Sequence, residues 1–406
     1  MLIGIDASRA NRKRKTGTEW YSFYLIANLA KIDHENIYRL YIDDRPSQEL
    51  QEAIKDNPNF SIKYLNWPFY SFWTLGRLSL EMIFKRPDIL FVPAHALPLF
   101  FPRKTINTVH DLAFMHEQNL YRPQKAKARN AGVGKLIHYF VKLITFGKYG
   151  ADSVDYLYWS TSYALRHAAK IICVSEATKQ DILTFHPKTK VKKISVIHNG
   201  FADELYQPIN NQEKIKLVLN KYGLEAPYFL YIGRLEKKKN TATLIESYAI
   251  VREYNPNIKE KLVLIGNAGF GYDEIQYMIE EFNLNRQVIM PGWALEDDLP
   301  YILNAASAFI FPSKHEGFGI PVLQALACGV PTAVSNIPVL HEVAGDAVLY
   351  FDQNDKLSLA KAMKDIIVDE ELRAELKIKG ISQAKKFSWE KCARETLEVI
   401  ESFRKK

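Results

Sequence analysis

The chain has 406 residues, of which 47% are hydrophobic and 25% are charged, and its formal net charge is +8. This length predicts two or three domains, and the composition is typical of a globular protein. No apolar run approaches the ~18 residues of a transmembrane helix, and Met1–Ile5 is predicted as a strand rather than a signal peptide. Since Cys173, Cys328 and Cys392 are far apart in the sequence, we expect a reduced, cytoplasmic protein.

The N-terminal half begins as a nucleotide-binding type of α/β unit. Leu2–Asp6 is predicted as a strand, a polar and basic loop containing Gly17 follows, and the apolar periodicity of Glu19–Lys31 predicts a helix. Further strands are predicted at residues 38–42, 88–93, 105–109, 169–175 and 194–197. This alternation indicates an α/β fold with a doubly wound parallel sheet.

Two histidines follow predicted strands in this half. His95 comes after the strand at 88–93, and His110 comes after the strand at 105–109. Because parallel α/β sheets bind ligands at the carboxyl ends of their strands, both are candidate site residues. A purely structural hydrogen-bonding role is the alternative for each.

The second half starts again with a strand and a basic loop. Tyr228–Ile232 is predicted as a strand, Gly233 and Arg234 follow it, and Lys237–Asn240 precede a predicted helix. Arginine binds phosphate through two parallel hydrogen bonds, and lysine adds a compact positive charge. A basic loop at this place suits a phosphate-bearing ligand, and a basic surface run before a helix is the alternative.

A second glycine-bearing loop lies between residues 311 and 335. Ala308–Phe311 is predicted as a strand, and the loop Glu316-Gly317-Phe318-Gly319 precedes a helix of about 8 residues that Gly329 ends. The amino end of such a helix, next to a glycine loop, is a ready site for an anion such as a diphosphate.

These motifs, together with the sequence from His110 to Ala113, resemble the signature of retaining glycosyltransferases of the GT-B fold. The resemblance is to the large group 1, or family 4, class that contains bacterial mannosyl- and glucosyltransferases, and it spans nearly the whole chain. It implies two Rossmann-like, doubly wound domains that face a central cleft. Residues 1–205 would bind the acceptor, residues 206–385 the nucleotide sugar, and the C-terminal helix at 386–406 would cross back to the N-terminal domain.

The resemblance also implies roles for individual residues. Glu316 would lie at the donor sugar, and His110 would face the transferred sugar and support developing charge. Arg234 and Lys239 would stabilise the leaving diphosphate. The remaining predicted donor contacts are Gly17, Trp293, Gly317, Phe318, Gly319 and Gln324. For Gly17 a flexible surface loop is the alternative, and for Trp293, which would pack on the nucleotide base, a core position is the alternative.

Position 324 departs from the family pattern, which has a second glutamate there that holds the ribose hydroxyls. Gln324 can accept a hydrogen bond from one hydroxyl and donate to the other, so it need not abolish binding. Charge-assisted hydrogen bonds are stronger than neutral ones. The sequence therefore predicts that Gln324→Glu lowers the donor dissociation constant.

The expected activity is transfer of a hexose from GDP-mannose or a UDP-sugar to an acceptor hydroxyl in glycan, polysaccharide or glycolipid synthesis, with retention. The resemblance implies no metal and no other cofactor. Asp43-Asp44 and Asp297-Asp298 are accordingly assigned to a turn and to the start of a helix. A sugar-nucleotide-binding protein without transferase activity, or a GT-B sugar-nucleotide epimerase, is the alternative.

One basic segment predicts a further partner. Between Glu117 and Asp152 there are seven lysines and arginines and no acid, interleaved with apolar residues. This pattern at residues 118–150 suits an anionic membrane surface, which predicts peripheral association with the inner face of the membrane. The alternative is a solvated helix face packed on the sheet, and we expect no nucleic acid partner because no nucleic-acid motif is present.

Overall fold

The computed structural model describes residues 1–67, 73–121 and 153–404. The chain divides into two compact units, which are described separately below. Unit 1 comprises Met1–Gly200 and Trp389–Lys406, and unit 2 comprises Phe201–Ser388. The corresponding boundaries in the sequence analysis are residues 205 and 385.

Unit 1 contains a parallel sheet, and among its described residues seven strands form this sheet. The strands are β1 (Leu2–Asp6), β2 (Ile37–Ile42), β3 (Phe60–Tyr64), β4 (Ile89–Val92), β5 (Thr105–Val109), β6 (Lys170–Cys173) and β7 (Ile194–Val196). Their spatial order is β3-β2-β1-β4-β5-β6-β7. This is the doubly wound order of nucleotide-binding folds with one strand added at the edge.

Helices cover the sheet of unit 1, so its central strands are buried on both faces. All four residues of β4 are buried, as are all five of β5. The helices are α1 (Gly17–Ile32), α2 (Gln48–Ile54), α3 (Ser79–Phe84), α4 (Ala113–His116), α5 (Ser153–His167) and α6 (Glu176–Phe185). Ser175 caps α6 by accepting a hydrogen bond from the backbone N–H of Thr178.

Unit 2 repeats the architecture with a second parallel sheet. Its strands are β8 (Tyr228–Ile232), β9 (Lys261–Ile265), β10 (Val288–Gly292), β11 (Ala308–Phe311), β12 (Thr332–Ser335) and β13 (Leu349–Phe351). They lie in the order β10-β9-β8-β11-β12-β13, which is the Rossmann order when counted from β8. The first and fourth strands of the unit, β8 and β11, are neighbours, with Phe229 opposite Ala308.

The helices of unit 2 follow its strands in alternation. They are α7 (Gln212–Lys221), α8 (Thr241–Tyr254), α9 (Tyr272–Glu281), α10 (Leu299–Asn304), α11 (Ile320–Ala327), α12 (Pro338–Ala344), α13 (Lys356–Val368) and α14 (Glu370–Ala384). Shorter turns of 3₁₀ helix lie at Gln118–Leu120, Val191–Lys193 and Lys237–Lys239, and one π-helical turn lies at Thr74–Leu78.

The C-terminal helix α15 (Trp389–Glu401) belongs to unit 1. It packs along α1, where the ring of Trp389 stacks on that of Tyr24 with centroids 5.5 Å apart. Beyond the helix, the Arg404 guanidinium pairs with Glu35 and donates to the side chain of Asn36. The predicted fold class, two doubly wound domains with a last helix returning to the first domain, is confirmed.

The predicted membrane-facing segment at 118–150 lies, beyond Tyr121, outside the described residues. Among the described helices, none has both the length and the apolar character that crossing a membrane requires.

Candidate functional site

The sheet of unit 2 has a topological switch point between β8 and β11. The chain proceeds from β8 to strands on one side and from β11 to strands on the other. In open parallel sheets this arrangement leaves a crevice at the carboxyl ends of the two strands, where ligands bind. The loops that follow these strands are the two predicted motifs, at residues 233–240 and 312–319. The fold therefore brings both motifs to one place.

The loop after β8 is held by close backbone contacts. A Cβ atom at Gly266, whose φ is +149°, would lie 1.9 Å from the carbonyl oxygen of Gly233, so only glycine fits there. Leu235 donates its backbone N–H to Asn267. At the end of the loop, Asn240 adopts a left-handed conformation and its side chain donates to the Gln353 carbonyl. These contacts fix the path of the basic residues between them.

An ion pair joins the two loops across the switch point. Lys239 Nζ lies 2.5 Å from Glu316 Oε1, and their side chains are only 18% and 10% exposed. The Lys239 ammonium also lies 5.6 Å from the ring centroid of Phe311. A lysine that binds one carboxylate still has N–H donors for a second acceptor. This pair therefore sets a positive and a negative group side by side at the crevice.

Arg234 adds a second cation to the same loop. Its side chain is 60% exposed, and its Nε lies 3.5 Å from Glu236. Within the described residues this is the one ion pair of the guanidinium, and its exposure leaves it able to turn toward an anion. Arg234 and Lys239, the predicted phosphate ligands, thus both project from the loop that follows β8.

The glycine loop after β11 leads directly into α11. Gly319 has a φ of +103°, which favours glycine, and Pro321 lies in the first turn of the helix, where its fixed φ is compatible with helix geometry. The ring of Phe318 is buried and packs edge-on against Phe387, with centroids 5.7 Å apart. Phe318 was predicted as a donor contact, and this stays a prediction; its side chain packs in the core.

Gln324, which occupies the place of the family's second glutamate, lies beside a carboxylate that was not predicted as a site residue. Gln324, 7% exposed in α11, donates from Nε2 to Glu296 Oε1 across 3.3 Å. The Tyr206 hydroxyl donates to the same oxygen at 2.6 Å. Burial raises the pKa of the Glu296 carboxyl, the hydrogen bond from Tyr206 opposes the rise, and the charge of Asp297 adds to it.

Asp297-Asp298, directly after Glu296, were assigned from sequence to the start of a helix, and α10 does begin at Leu299. The cap position of α10 is Asp298. The sequence does contain one indication of such a residue. Because Gln324 replaces the glutamate of the family pattern, a carboxylate from another segment could be expected near it. Trp293, also in the segment after β10, is half-buried.

In unit 1, His110 is buried at the end of β5. Its Nε2 donates to the Pro93 carbonyl at 3.1 Å. Its ring packs edge-on against the rings of Tyr21 and His95, with centroids 4.8 Å and 5.8 Å away. Burial lowers the pKa of His110, so the imidazole is neutral at pH 7. Gly17 is the first residue of α1 rather than part of the preceding loop, and a Cβ there would meet no neighbouring atom.

The aspartate pairs rejected as metal ligands have protein partners. Asp43 accepts a hydrogen bond from Arg12, and Asp298 accepts from both Lys221 and Tyr222. In the part of the chain that the structure describes, no group of three or more His, Cys, Asp or Glu side chains is placed to hold a metal ion.

Comparison with known proteins agrees with this architecture. The model of "Glycosyltransferase Family 4" matches residues 15–205, and that of "Glycosyl transferases group 1" matches residues 212–383. Among solved structures, HepE of Anabaena in complex with UDP and glucose has a TM-score of 0.69 and 16% sequence identity, with 99% of both chains covered. That likeness supports the fold.

Among relatives, the O-antigen chain mannosyltransferase B of Escherichia coli is 30% identical over 328 residues, which is 79% of this chain and 82% of the relative. The serotype-specific mannosyltransferase WbdA of Escherichia coli is 27% identical over 263 residues, covering 64% of this chain but 32% of the relative. Both family models and the first of these relatives lead to one conclusion: the chain belongs to the group 1, family 4 glycosyltransferases and is a glycosyltransferase.

Proposed function

We propose that this enzyme transfers a hexose, mannose in the first instance, from a GDP- or UDP-sugar to a hydroxyl of a growing glycan, with retention at the anomeric carbon. The observation that carries the proposal is the Lys239–Glu316 ion pair at the switch point of unit 2. The names of the O-antigen and serotype-specific mannosyltransferases support mannose and a glycan acceptor. The HepE complex with UDP supports a nucleotide donor.

In the proposed reaction the cations of unit 2 act on the leaving group. As the bond between the anomeric carbon and the diphosphate oxygen breaks, negative charge grows on the diphosphate. Arg234, with its exposed guanidinium, and Lys239 stabilise that charge more strongly than they stabilise the intact donor. The amino end of α11, directly after Gly319, adds backbone N–H donors.

Glu316 positions the sugar in this scheme. Its carboxylate is held by Lys239 and accepts a hydrogen bond from a hydroxyl of the transferred hexose. Because one lysine would touch both Glu316 and a phosphate oxygen, the pair fixes the sugar relative to the bond that breaks. Loss of either partner would leave the other buried without its counter-charge.

For His110 we propose a role at the transferred sugar, as the family resemblance implies. A neutral imidazole suits a group beside developing positive charge, because a protonated ring would repel that charge. Its Nε2 is engaged by the Pro93 carbonyl, so Nδ1 is the acceptor in this tautomer.

Retention follows, in our proposal, from attack on the face that the diphosphate leaves. The acceptor oxygen bonds to the anomeric carbon as the bond to the diphosphate breaks, and the acceptor's proton passes to a phosphate oxygen. This step uses no protein base, and we propose that it needs no metal ion.

The test is a donor screen with product analysis. The purified chain is incubated with UDP-, GDP- and ADP-sugars in the presence and absence of a mannose-terminated oligosaccharide, and products are identified by NMR. We expect release of a nucleoside diphosphate and a new glycosidic bond with the anomeric configuration of the donor. An epimerised sugar nucleotide would indicate an epimerase, and donor binding without turnover would indicate a binding protein.

We also propose that unit 1 docks on an anionic membrane, as the basic segment at 118–150 predicts. An exposed apolar patch in the described part of unit 1, formed by Ile83, Phe84, Leu99 and Phe100, supports this. Phe84 alone is 79% exposed, and the patch borders a cavity of about 360 Å³. Exposed basic residues adjoin it in sequence, namely Lys85, Arg86, Arg103 and Lys104. Exposed apolar side chains with basic residues next to them in the sequence complement an anionic lipid surface.

A further inference from the structure

The contact between Gln324 and Glu296 raises the question of which side chain carries the negative charge near α11. Gln324 is buried and neutral, and its amide N–H is already donated to Glu296. Position 324 therefore has one donor fewer to offer a ligand than its sequence suggests. The nearest acid to it in this arrangement is Glu296, one hydrogen bond away.

Glu296 lies where a sheet of this order presents ligand-binding residues. It is in the segment between β10 and α10, directly after the carboxyl end of β10. Its partner Gln324 is in α11, the helix that leads away from the switch point. In parallel α/β sheets ligands bind outside the carboxyl ends of the strands, and a carboxylate there can accept hydrogen bonds from ribose hydroxyls.

The hydrogen bonds of Glu296 leave half of its carboxylate without a donor. Oε1 accepts from both the Tyr206 hydroxyl and the Gln324 amide, whereas Oε2 accepts no hydrogen bond from the residues that the structure describes. A carboxylate oxygen with no protein donor can accept hydrogen bonds from a ligand. Two donors on one oxygen also fix the direction in which the other points. This is the arrangement of a positioned acceptor that awaits a ligand's hydroxyl groups.

We propose that Glu296 is the residue that accepts hydrogen bonds from the ribose hydroxyls of the nucleotide donor, with Gln324 and Tyr206 as positioning residues that hold its carboxylate. The inference rests on the proposed function, since it requires a nucleotide in unit 2. It transfers the ribose contact from position 324 to a different segment of the chain.

The experiment compares ribose with 2′-deoxyribose by calorimetry on the full chain. UDP, GDP and ADP are titrated first, and the nucleoside diphosphate that binds is then compared with its 2′-deoxy form. We expect the wild-type protein to bind the deoxy form about tenfold more weakly or worse, because it loses a hydrogen bond to a charged group. In Glu296→Ala the two forms should bind within about twofold of each other.

Two further variants separate the effect of the Glu296 charge from effects of packing and of neighbouring charge. Glu296→Gln keeps an acceptor for Tyr206 and Gln324, so it preserves the local packing, and its preference for ribose should fall to a few-fold. Asp297→Asn removes the adjacent, exposed charge and should keep the wild-type preference. Thermal unfolding of each variant shows whether it is folded.

The outcomes separate the two proposals. If the wild-type protein binds none of the three nucleoside diphosphates, the proposed function fails and this inference fails with it. If the wild-type protein binds one of them without preferring ribose, or if both Glu296 variants keep the full preference, the donor site stands and the role of Glu296 is overturned.

Discussion

Replacing Gln324 by glutamate gives the sharpest test of the arrangement around α11. The sequence predicts tighter donor binding for Gln324→Glu. The structure leads us to expect instead that this variant is less stable and does not bind the donor more tightly. The side-chain amide lies 3.3 Å from the Glu296 carboxylate, so the variant would place two carboxylates in contact. At that distance two negative charges repel by about 5 kcal/mol at an effective dielectric constant of about 20.

The variant can relieve this repulsion by binding one proton. Protonating a glutamate with an ordinary pKa of about 4.3 costs about 1 kcal/mol at pH 5 and about 3.7 kcal/mol at pH 7. Both costs are below the repulsion, so the pair should hold a shared proton at neutral pH. We therefore expect a loss in the free energy of unfolding of about 1 kcal/mol at pH 5 that grows toward about 3.7 kcal/mol at pH 7. These are upper limits, because solvent partly screens the half-buried Glu296.

The direction of the pH dependence follows from proton linkage. In the folded variant the pKa of the pair is raised above that of unfolded glutamate, so the folded state holds a proton that the unfolded state releases. Below about pH 4.3 the free energy of unfolding of the variant is therefore closest to that of wild type. The difference grows as the pH rises toward the folded pKa of the pair.

The assay is urea unfolding of wild type, Gln324→Glu and Gln324→Met from pH 5 to pH 8. The methionine variant removes the amide donor without adding charge, so its deficit should change much less with pH. A glutamate variant as stable as wild type at every pH would refute the contact with Glu296. Tighter nucleotide binding by that variant at pH 7 would restore the expectation from sequence.

Four other predictions follow from the site and the surface. Arg234→Ala and Lys239→Ala should each raise the activation free energy, measured from kcat/KM, by about 2.7–4 kcal/mol. Lys237→Ala, in the same turn as Lys239, is the control and should not raise it. Near wild-type turnover in the first two variants would contradict the phosphate assignment. Activity should survive EDTA, and loss that Mn²⁺ or Mg²⁺ reverses would contradict the metal-free proposal. Binding to anionic vesicles should fall with added salt and in a Phe84→Ser, Phe100→Ser variant but not in Ile378→Ser, an exposed control in unit 2; equal binding to neutral vesicles would count against membrane docking. Burial lowers the pKa of His110, so its neutral form contributes stability above about pH 6.5, and this contribution is lost as the pH falls through the folded pKa. Unfolding measurements should therefore show less acid destabilisation for His110→Gln than for wild type. Equal acid sensitivity of the two proteins would argue against a buried neutral ring.

Much of the sheet around the donor motifs could be predicted because its strands are continuous apolar runs between glycine and proline. β8 and β11 have the bounds expected from the sequence, Tyr228–Ile232 and Ala308–Phe311. β3 was not predicted, because this edge strand buries only Phe60 and so carries little apolar signal. Edge strands give sequence analysis less information than central strands for this reason.

The contact of Gln324 with Glu296 could not be predicted for a different reason. The two residues are 28 positions apart, and their meeting depends on the path of the segment between β10 and α10 over the edge of the sheet. No local pattern encodes that path. By contrast, the Lys239–Glu316 pair joins two recognisable motifs, and their strands become neighbours through the Rossmann order itself.

The return of α15 to unit 1 has a consequence for synthesis of the protein. Unit 1 is discontinuous, since its last helix is translated only after all of unit 2. Until then the face of α1 that bears Tyr24 has no Trp389 to cover it, so the emerging chain presents that apolar surface to the cell. A fragment ending at Gly200 keeps that surface permanently open, whereas Phe201–Ser388 is contiguous and is the piece better suited to production by itself.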